Sequence, residues 1–171
     1  AISARMGIDI LKQNNPYFFG MGGIRGLVYS HKILKQSDLF IVIGSSYTHS
    51  FAGDNYELSA NKKIVIVNID KNEIKKPDFN PSVKLNIDVK SFLSNFFKRS
   101  QKSKLKSFKT WTNKCNEIKI KYPIINNKLF KNPINSYFLI ECINKNSKGN
   151  TIFVSDAGSA NYVTSQALRI K

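Results

Sequence analysis

Four short stretches hold residue types that can do chemistry. The last is Gly158-Ser159-Ala160-Asn161, which follows the apolar run Thr151-Ile152-Phe153-Val154-Ser155 and precedes a helical pattern from Tyr162 onward. A buried strand, then small residues, then a helix start makes an anion-binding arrangement, because unpaired backbone N–H groups and the helix dipole favour phosphate there. Ser159 and Asn161 add side-chain hydrogen-bonding groups. The first stretch is Gly20-Met21-Gly22-Gly23-Ile24-Arg25-Gly26, with four glycines in seven residues. Such a backbone passes close to something or bends sharply. Its spacing is not the dinucleotide fingerprint GxGxxG, since Arg25 stands where the third glycine would fall.

The remaining two are strand ends. Ser37-Asp38-Leu39-Phe40-Ile41-Val42-Ile43-Gly44 is an apolar run that stops at a glycine, followed by the polar and aromatic loop Ser45–Phe51. Uninterrupted apolar runs of this length suit a parallel strand buried on both faces. In open α/β sheets the ligand crevice lies at the carboxyl ends of such strands, so Gly44 to Phe51 is a candidate binding loop, or else an ordinary strand-to-loop junction. Lys63–Asp70 is the second buried strand, and Asn68 and Asp70 at its end suit either a ribose hydroxyl or turn formation.

These sites need elements to hold them. Leu27–Lys35 reads as a helix with Leu27, Ile33 and Leu34 inward, and Asp54–Ala60 as a short one. Lys75 to Pro81 is a loop, and Val83–Ile87 alternates as a short edge strand does. Asp88 is placed to cap a helix whose Val89, Phe92, Leu93, Phe96 and Phe97 share one face. The basic stretch 98–104 reads as a linker. Leu105, Phe108, Trp111, Cys115 and Ile118 then form a second helical stripe that Tyr122-Pro123 ends. Ile124–Asn132 is irregular, and Pro133 opens a helix carrying Tyr137, Phe138, Ile140, Cys142 and Ile143. Strands alternating with helices imply an α/β fold with a parallel sheet.

Charge and cysteine usage exclude several classes. The net charge is +16, from 27 Lys and Arg against 11 Asp and Glu. Lysines punctuate nearly every loop and helix, and the denser cluster from Lys98 to Lys121 has no interleaved RNP-like aromatics and no zinc spacing. No nucleic-acid partner is expected. No apolar run reaches the roughly 18 residues of a membrane span, so no membrane partner is expected either. Cys115 and Cys142 stand apart without CxxC spacing and read as free thiols in a reducing, cytoplasmic setting. His31 lacks a companion His, Cys or acidic cluster and reads as a packing or surface residue. A chain that starts at Ala1 and stops at Lys171 within a helical pattern is expected to be part of a longer protein.

Taken in order, four stretches resemble thiamine-diphosphate-dependent enzymes of the acetolactate synthase type. Asn15–Gly26 is similar to the family's aromatic and glycine segment of the central domain. Ser37–Gly44 resembles its Ala-Asp-Leu…Gly strand. Ile64–Asp70, continued by Asn72-Glu73-Ile74, resembles its acidic strand end. Phe153–Ser159 resembles the strand and turn that open its diphosphate-binding domain. The resemblance implies a partial central domain at 1–97, a nucleotide-binding fold of DHS-like type, then a connector at 98–132. The start of a thiamine-diphosphate-binding domain follows at 133–171. The expected fold is thus α/β, with a Rossmann-like parallel-sheet domain followed by the first helix and strand of a second α/β domain.

The resemblance also implies function. The cofactors are thiamine diphosphate and Mg²⁺, with the Mg²⁺ ligands and the activating glutamate outside this chain. Gly158, Ser159, Ala160 and Asn161 fall where the family's turn meets the diphosphate, and no catalytic or metal-binding residue is assigned. The expected chemistry is decarboxylation of a 2-oxo acid and transfer of the resulting carbanion to an acceptor carbonyl, as a transferase or lyase. The active form would be a homodimer or homotetramer, and the fragment alone is expected to be inactive. The FAD-binding members carry Gly-Ala-Arg where this chain has Gly44-Ser45-Ser46, and an acid where it has Asn68, so FAD is not expected. The alternative is a free-standing nucleotide-binding α/β module with Gly22, Gly44 and Asp70 around the nucleotide.

Overall fold

The computed structural model describes residues 1–53, 58, 60–76, 80–103, 106–125 and 134–170. Most of the helix expected at Asp54–Ala60, the turn at Pro77, the packing of Leu105, the helix start at Pro133 and most of the irregular stretch 124–132 lie outside them. The chain packs as two units, 34–111 and 1–33 with 112–171.

Residues 34–111 hold a three-stranded parallel sheet in the order β1-β2-β3. β1 is Leu39–Ile43, β2 is Lys63–Asn68 and β3 is Val83–Asn86. Leu39 lies opposite Lys63 and Ile43 opposite Val67; Val65 lies opposite Val83 and Asn68 opposite Asn86. Parallel pairing requires a crossover between successive strands. Two short helices, α2 (His49–Ala52) and α3 (Lys71–Ile74), lie within those crossovers. Side chains alternate across a strand. Phe40, Ile64 and Ile66 therefore share one face, where they form a core with Tyr47, Ala52, Leu58 and Ile74. This architecture is the α/β, Rossmann-like sheet that the alternation of strands and helices implied.

The opposite face departs from expectation. Leu39, Ile41 and Ile43 remain 46, 47 and 38 % exposed, so β1 is buried on one face rather than two. β1 stands at the edge of the sheet, and the long helix α4 (Val89–Lys102) packs instead against β2, where Val67 is fully buried. Asp88 caps α4 as expected, its Oδ1 accepting from the Ser91 N–H at 3.0 Å. The apolar stripe of α4 forms, with Phe92 stacked on Phe96, yet Leu93, Phe96 and Phe97 stay about half exposed. The basic stretch expected as a linker is in fact the last turn of α4 as far as Lys102. Arg99 and Lys102 there meet the negative end of the helix dipole.

The other unit begins with residues 1–33. Ser3 bridges Met21 in parallel, with the Ser3 N–H donating to Gly20 O and the Gly22 N–H donating to Ser3 O. The helix α1 (Val28–Gln36) follows, with Leu27 and Ile33 buried as expected. Ser30 is buried and donates its hydroxyl proton to Phe19 O. Burial pushes the Tyr29 hydroxyl up to about 12. Helix α5 (Lys109–Lys121) buries Cys115, while Phe108 precedes the helix and is 68 % exposed. No helix among the described residues is long and apolar enough to cross a membrane.

Helices α6 (Ser136–Asn146) and α7 (Ser159–Ala167) pair through Ile140, Ala167 and Leu168, flanked by Tyr137, Ile143, Phe153 and Val163. α6 is capped by Asn135, whose Oδ1 accepts from the Tyr137 N–H at 2.9 Å. α7 ends at Ala167 rather than continuing to the end of the chain. The buried strand expected at Thr151–Ser155 does not form. Among the described residues it has no ladder partner, and Ile152 and Val154 are 88 and 94 % exposed. A parallel strand is stabilised only by neighbours that accept and donate across the ladder. The three strands of the sheet all belong to residues 34–111.

Candidate functional site

α7 begins where an anion would be received. Its N-cap is Gly158, at φ 82° and ψ −148°, and no side chain satisfies the first amides of the helix. That positive φ favours glycine. A Cβ placed there would meet nothing within 4 Å, so the requirement is conformational and the space beside the turn is open. The first helical bond of this turn runs from the Tyr162 N–H to Gly158 O at 3.2 Å. The N–H groups of Ser159, Ala160 and Asn161 thus precede the helical ladder. Gly158, Ser159 and Ala160 are exposed and Asn161 is half-buried. These are the residues expected to hold a diphosphate, and the structure brings them together on one helix start. What the sequence suggested and the structure withholds is a buried strand behind them.

The surroundings set the chemistry. The groove beside the turn is lined by Leu139 and Ile140 of α6, by Val154, and by Ala160 and Val163 of α7, with Ser136, Ser155, Asp156 and Thr164 among them. Its walls therefore mix apolar and polar side chains. Asp156 sits at the mouth, exposed, with its Oδ1 accepting from the Ala157 N–H at 2.7 Å. An uncapped, open, amide-rich helix start is an arrangement that can receive an anion such as a diphosphate. Among the described residues no three His, Cys, Asp or Glu side chains cluster, so none of these residues is assigned to Mg²⁺.

Residues that composition did not single out hold α7 in place. Asn144 is 4 % exposed. Its Nδ2 donates to Ala167 O at 2.9 Å and its Oδ1 accepts from the Arg169 N–H at 2.8 Å. It thereby clamps the end of α7 opposite the turn. Arg169 also pairs with Glu141, and that hydrogen bond holds the Glu141 carboxyl below its usual range. Tyr137 donates to Gln166, which in turn donates to Arg25 O at 2.7 Å. The one signal in the sequence was Asn144 itself, a polar residue four positions after Ile140 on the buried stripe of α6.

The strand ends of the sheet are spent on their own loops. Gly44 has φ 61°, and a Cβ there would lie 2.9 Å from Cγ2 of Val89, so the turn needs both the dihedral and the missing side chain. In the candidate loop, Tyr47 is buried against Phe40 and Phe51, with ring centroids 6.5 and 5.7 Å away, and serves the core. Ser46 donates to Glu73 at 2.7 Å, and Lys76 donates to Ser46 at 3.0 Å. Lys76 also donates directly to Glu73, and that bond, followed by the one from Ser46, leads the causes that lower the Glu73 carboxyl. Asn68 Oδ1 accepts from the Asp70 N–H at 3.0 Å, and Asp70 caps α3 by accepting from the Asn72 N–H at 2.8 Å. Asn68 and Asp70 thus form turns, the plainer of their two readings. Gly22 belongs to the other unit, where Gly26 folds back on the loop so closely that a Cβ would lie 2.5 Å from the Gly22 carbonyl carbon. The sharp bend accounts for those glycines.

Comparison with known proteins places the chain. It is 29 % identical over 159 residues to acetolactate synthase 1, chloroplastic, of Nicotiana tabacum, covering 91 % of this chain and 24 % of that protein. It is 26 % identical over 162 residues to the acetolactate synthase isozyme 1 large subunit of Escherichia coli (strain K12), covering 95 % and 28 %. It is 32 % identical over 94 residues to the probable acetolactate synthase large subunit of Methanococcus aeolicus, covering 55 % and 16 %. The chain spans about a quarter of the length of the first two relatives. Residues 1–96, more than half of the chain, match the family described as "Thiamine pyrophosphate enzyme, central domain", and the chain belongs to that family.

Proposed function

We propose that this chain works as part of a thiamine-diphosphate-dependent enzyme resembling acetolactate synthase. The observation that carries the proposal is the extent of the likeness. Alignment to the acetolactate synthase of Nicotiana tabacum covers 159 residues and 91 % of this chain, well beyond the 96 of the central-domain match, so helix α6 shares in it. On this reading residues 1–97 are the central domain, 98–132 the connector and 133–171 the start of the cofactor-binding domain. Bound thiamine diphosphate supplies the electron sink for decarboxylating a 2-oxo acid and passing the carbanion to an acceptor carbonyl.

The residues of this chain have a positioning role. The amides of Ser159, Ala160 and Asn161 bind one end of the diphosphate, and Gly158 keeps the approach open. Mg²⁺ is held by residues outside this chain, FAD is not used, and the enzyme assembles as a homodimer or homotetramer. This segment alone is inactive. Two free thiols, Cys115 and Cys142, accord with a reducing, cytoplasmic setting.

The test is a calorimetric titration of thiamine diphosphate with Mg²⁺ into the polypeptide expressed from its complete reading frame. Binding is expected, and Gly158→Asp should weaken it at least tenfold, since a carboxylate at the helix start competes with the diphosphate for the same amides. No binding, or binding that Gly158→Asp leaves untouched, overturns the assignment.

A further inference from the structure

Two arginines meet on one aromatic ring in the unit formed by residues 1–33 and 112–171. The guanidinium carbon of Arg5 lies 4.4 Å from the centroid of the Tyr162 ring, and that of Arg25 lies 5.2 Å from it. Both backbones are anchored. Arg5 opens a short 3₁₀ turn, Arg5–Gly7, just after the Ser3 bridge to Met21. Arg25 sits within the glycine bend, where Gln166 donates to its carbonyl at 2.7 Å.

What these groups lack is as informative as what they touch. Neither Arg5 nor Arg25 is a member of the ion pairs Lys76–Glu73 and Arg169–Glu141 seen among the described residues. Nε of Arg5 is buried without an acceptor, and so is Oγ of Ser3 two residues earlier. Buried polar groups are normally hydrogen-bonded. Both guanidinium carbons lie within cation–π range of the Tyr162 ring, and a guanidinium held by such a contact can still offer a forked pair of N–H bonds to two oxygens. Like charges gathered on one ring, with an inward donor unmet, are the arrangement that an oxyanion completes.

We propose that Arg5, Arg25 and Ser3, organised on Tyr162, form a binding site for the phosphoryl or carboxylate group of a small molecule. The site does not rest on the assignment of thiamine diphosphate to the start of α7. That assignment uses backbone amides of residues 159–161, whereas this one uses guanidinium groups. Tyr162 acts as a positioning residue, and the arginines make the contact.

Arginine-detected NMR tests this directly on the 171-residue chain, which has four arginines, Arg5, Arg25, Arg99 and Arg169. Inorganic phosphate and, separately, acetate are titrated while the four Nε–Hε resonances are followed. Saturable shifts at Arg5 and Arg25, with Arg99 and Arg169 nearly still, are expected with at least one of the two anions. Phosphate alone identifies a phosphoryl ligand and acetate alone a carboxylate. Arg25→Lys keeps the charge but loses the fork and should weaken the affinity at least tenfold. Arg25 is exposed, so the fold tolerates the change. No saturable shift with either anion, four resonances moving alike through general screening of a +16 chain, or an Arg25→Lys affinity equal to that of the parent overturns the proposal. Shifts confined to the amides of residues 159–161 would likewise overturn it, while leaving the diphosphate assignment standing.

Discussion

β2 and Thr151–Ser155 are chemically alike and structurally opposite. One reads Lys-Ile-Val-Ile-Val-Asn, the other Thr-Ile-Phe-Val-Ser. In β2, Ile66 and Val67 are fully buried and the strand is paired on both sides. In the other, Ile152 and Val154 lie in the open without a ladder. Apolar, β-branched composition makes a segment fit for a sheet, but the neighbouring strands decide whether it enters one. The two regions are therefore held by different forces. Residues 34–111 depend on apolar burial around a central strand. The pair α6–α7 depends on a small apolar cluster and on polar clamps at its far end.

That contrast can be broken by substitution. The largest effect belongs to Ile66→Ala, which should destabilise the chain by about 3–4 kcal/mol in urea unfolding through a cavity on the sheet core. The matched change Ile152→Ala should stay within about 0.5 kcal/mol. Equal losses at the two sites would erase the distinction between them. Next is Asn144→Ala, which leaves Ala167 O and the Arg169 N–H without their partner and should cost about 1–3 kcal/mol. Amide exchange in α7 should quicken in that variant while exchange in β2 is unchanged. Asp88→Ala removes a cap from α4 and should cost about 1 kcal/mol, read from the same unfolding curves.

The smallest effect is a pH effect. The folded-state pKa of Glu141 lies below its ordinary value of 4.5. Its contribution is therefore present above that value and is lost as pH falls through the lower, folded one. Arg169 is half exposed, so the pair is worth less than about 1 kcal/mol. Glu141→Gln should flatten the acid side of the stability profile below about pH 4.5 and leave neutral pH almost unchanged. A steeper acid loss in the variant would mean that the carboxylate is not stabilised by Arg169.

The sequence made the sheet legible because apolar runs and alternation report directly on burial. β1, β2, β3 and the Asp88 cap fall within a residue or two of where the pattern put them. The turn at Gly158–Asn161 was legible for a similar reason, since small residues before a helical pattern leave a helix start uncapped. The exposure of Leu39 and Ile41 was not legible, because an uninterrupted apolar run does not say which of its faces will be covered. The burial of Tyr47 was missed because aromatic residues in a polar loop serve recognition and packing equally well. The contacts of Asn144, Arg5 and Arg25 were not legible because their partners lie 20 or more residues away.

The half-covered sheet has a colloidal consequence. Leu39, Ile41 and Ile43 beside the exposed stripe of α4 give the molecule an adhesive side, and a net charge of +16 keeps its copies apart. The two act over different distances. Repulsion between exposed charges fades as the Debye length shrinks from about 30 Å at 0.01 M salt to about 3 Å at 1 M, whereas apolar contact does not weaken with added salt. Ionic strength thus governs whether the chain stays dispersed: dilute buffer keeps it so, and concentrated salt brings its bare faces together.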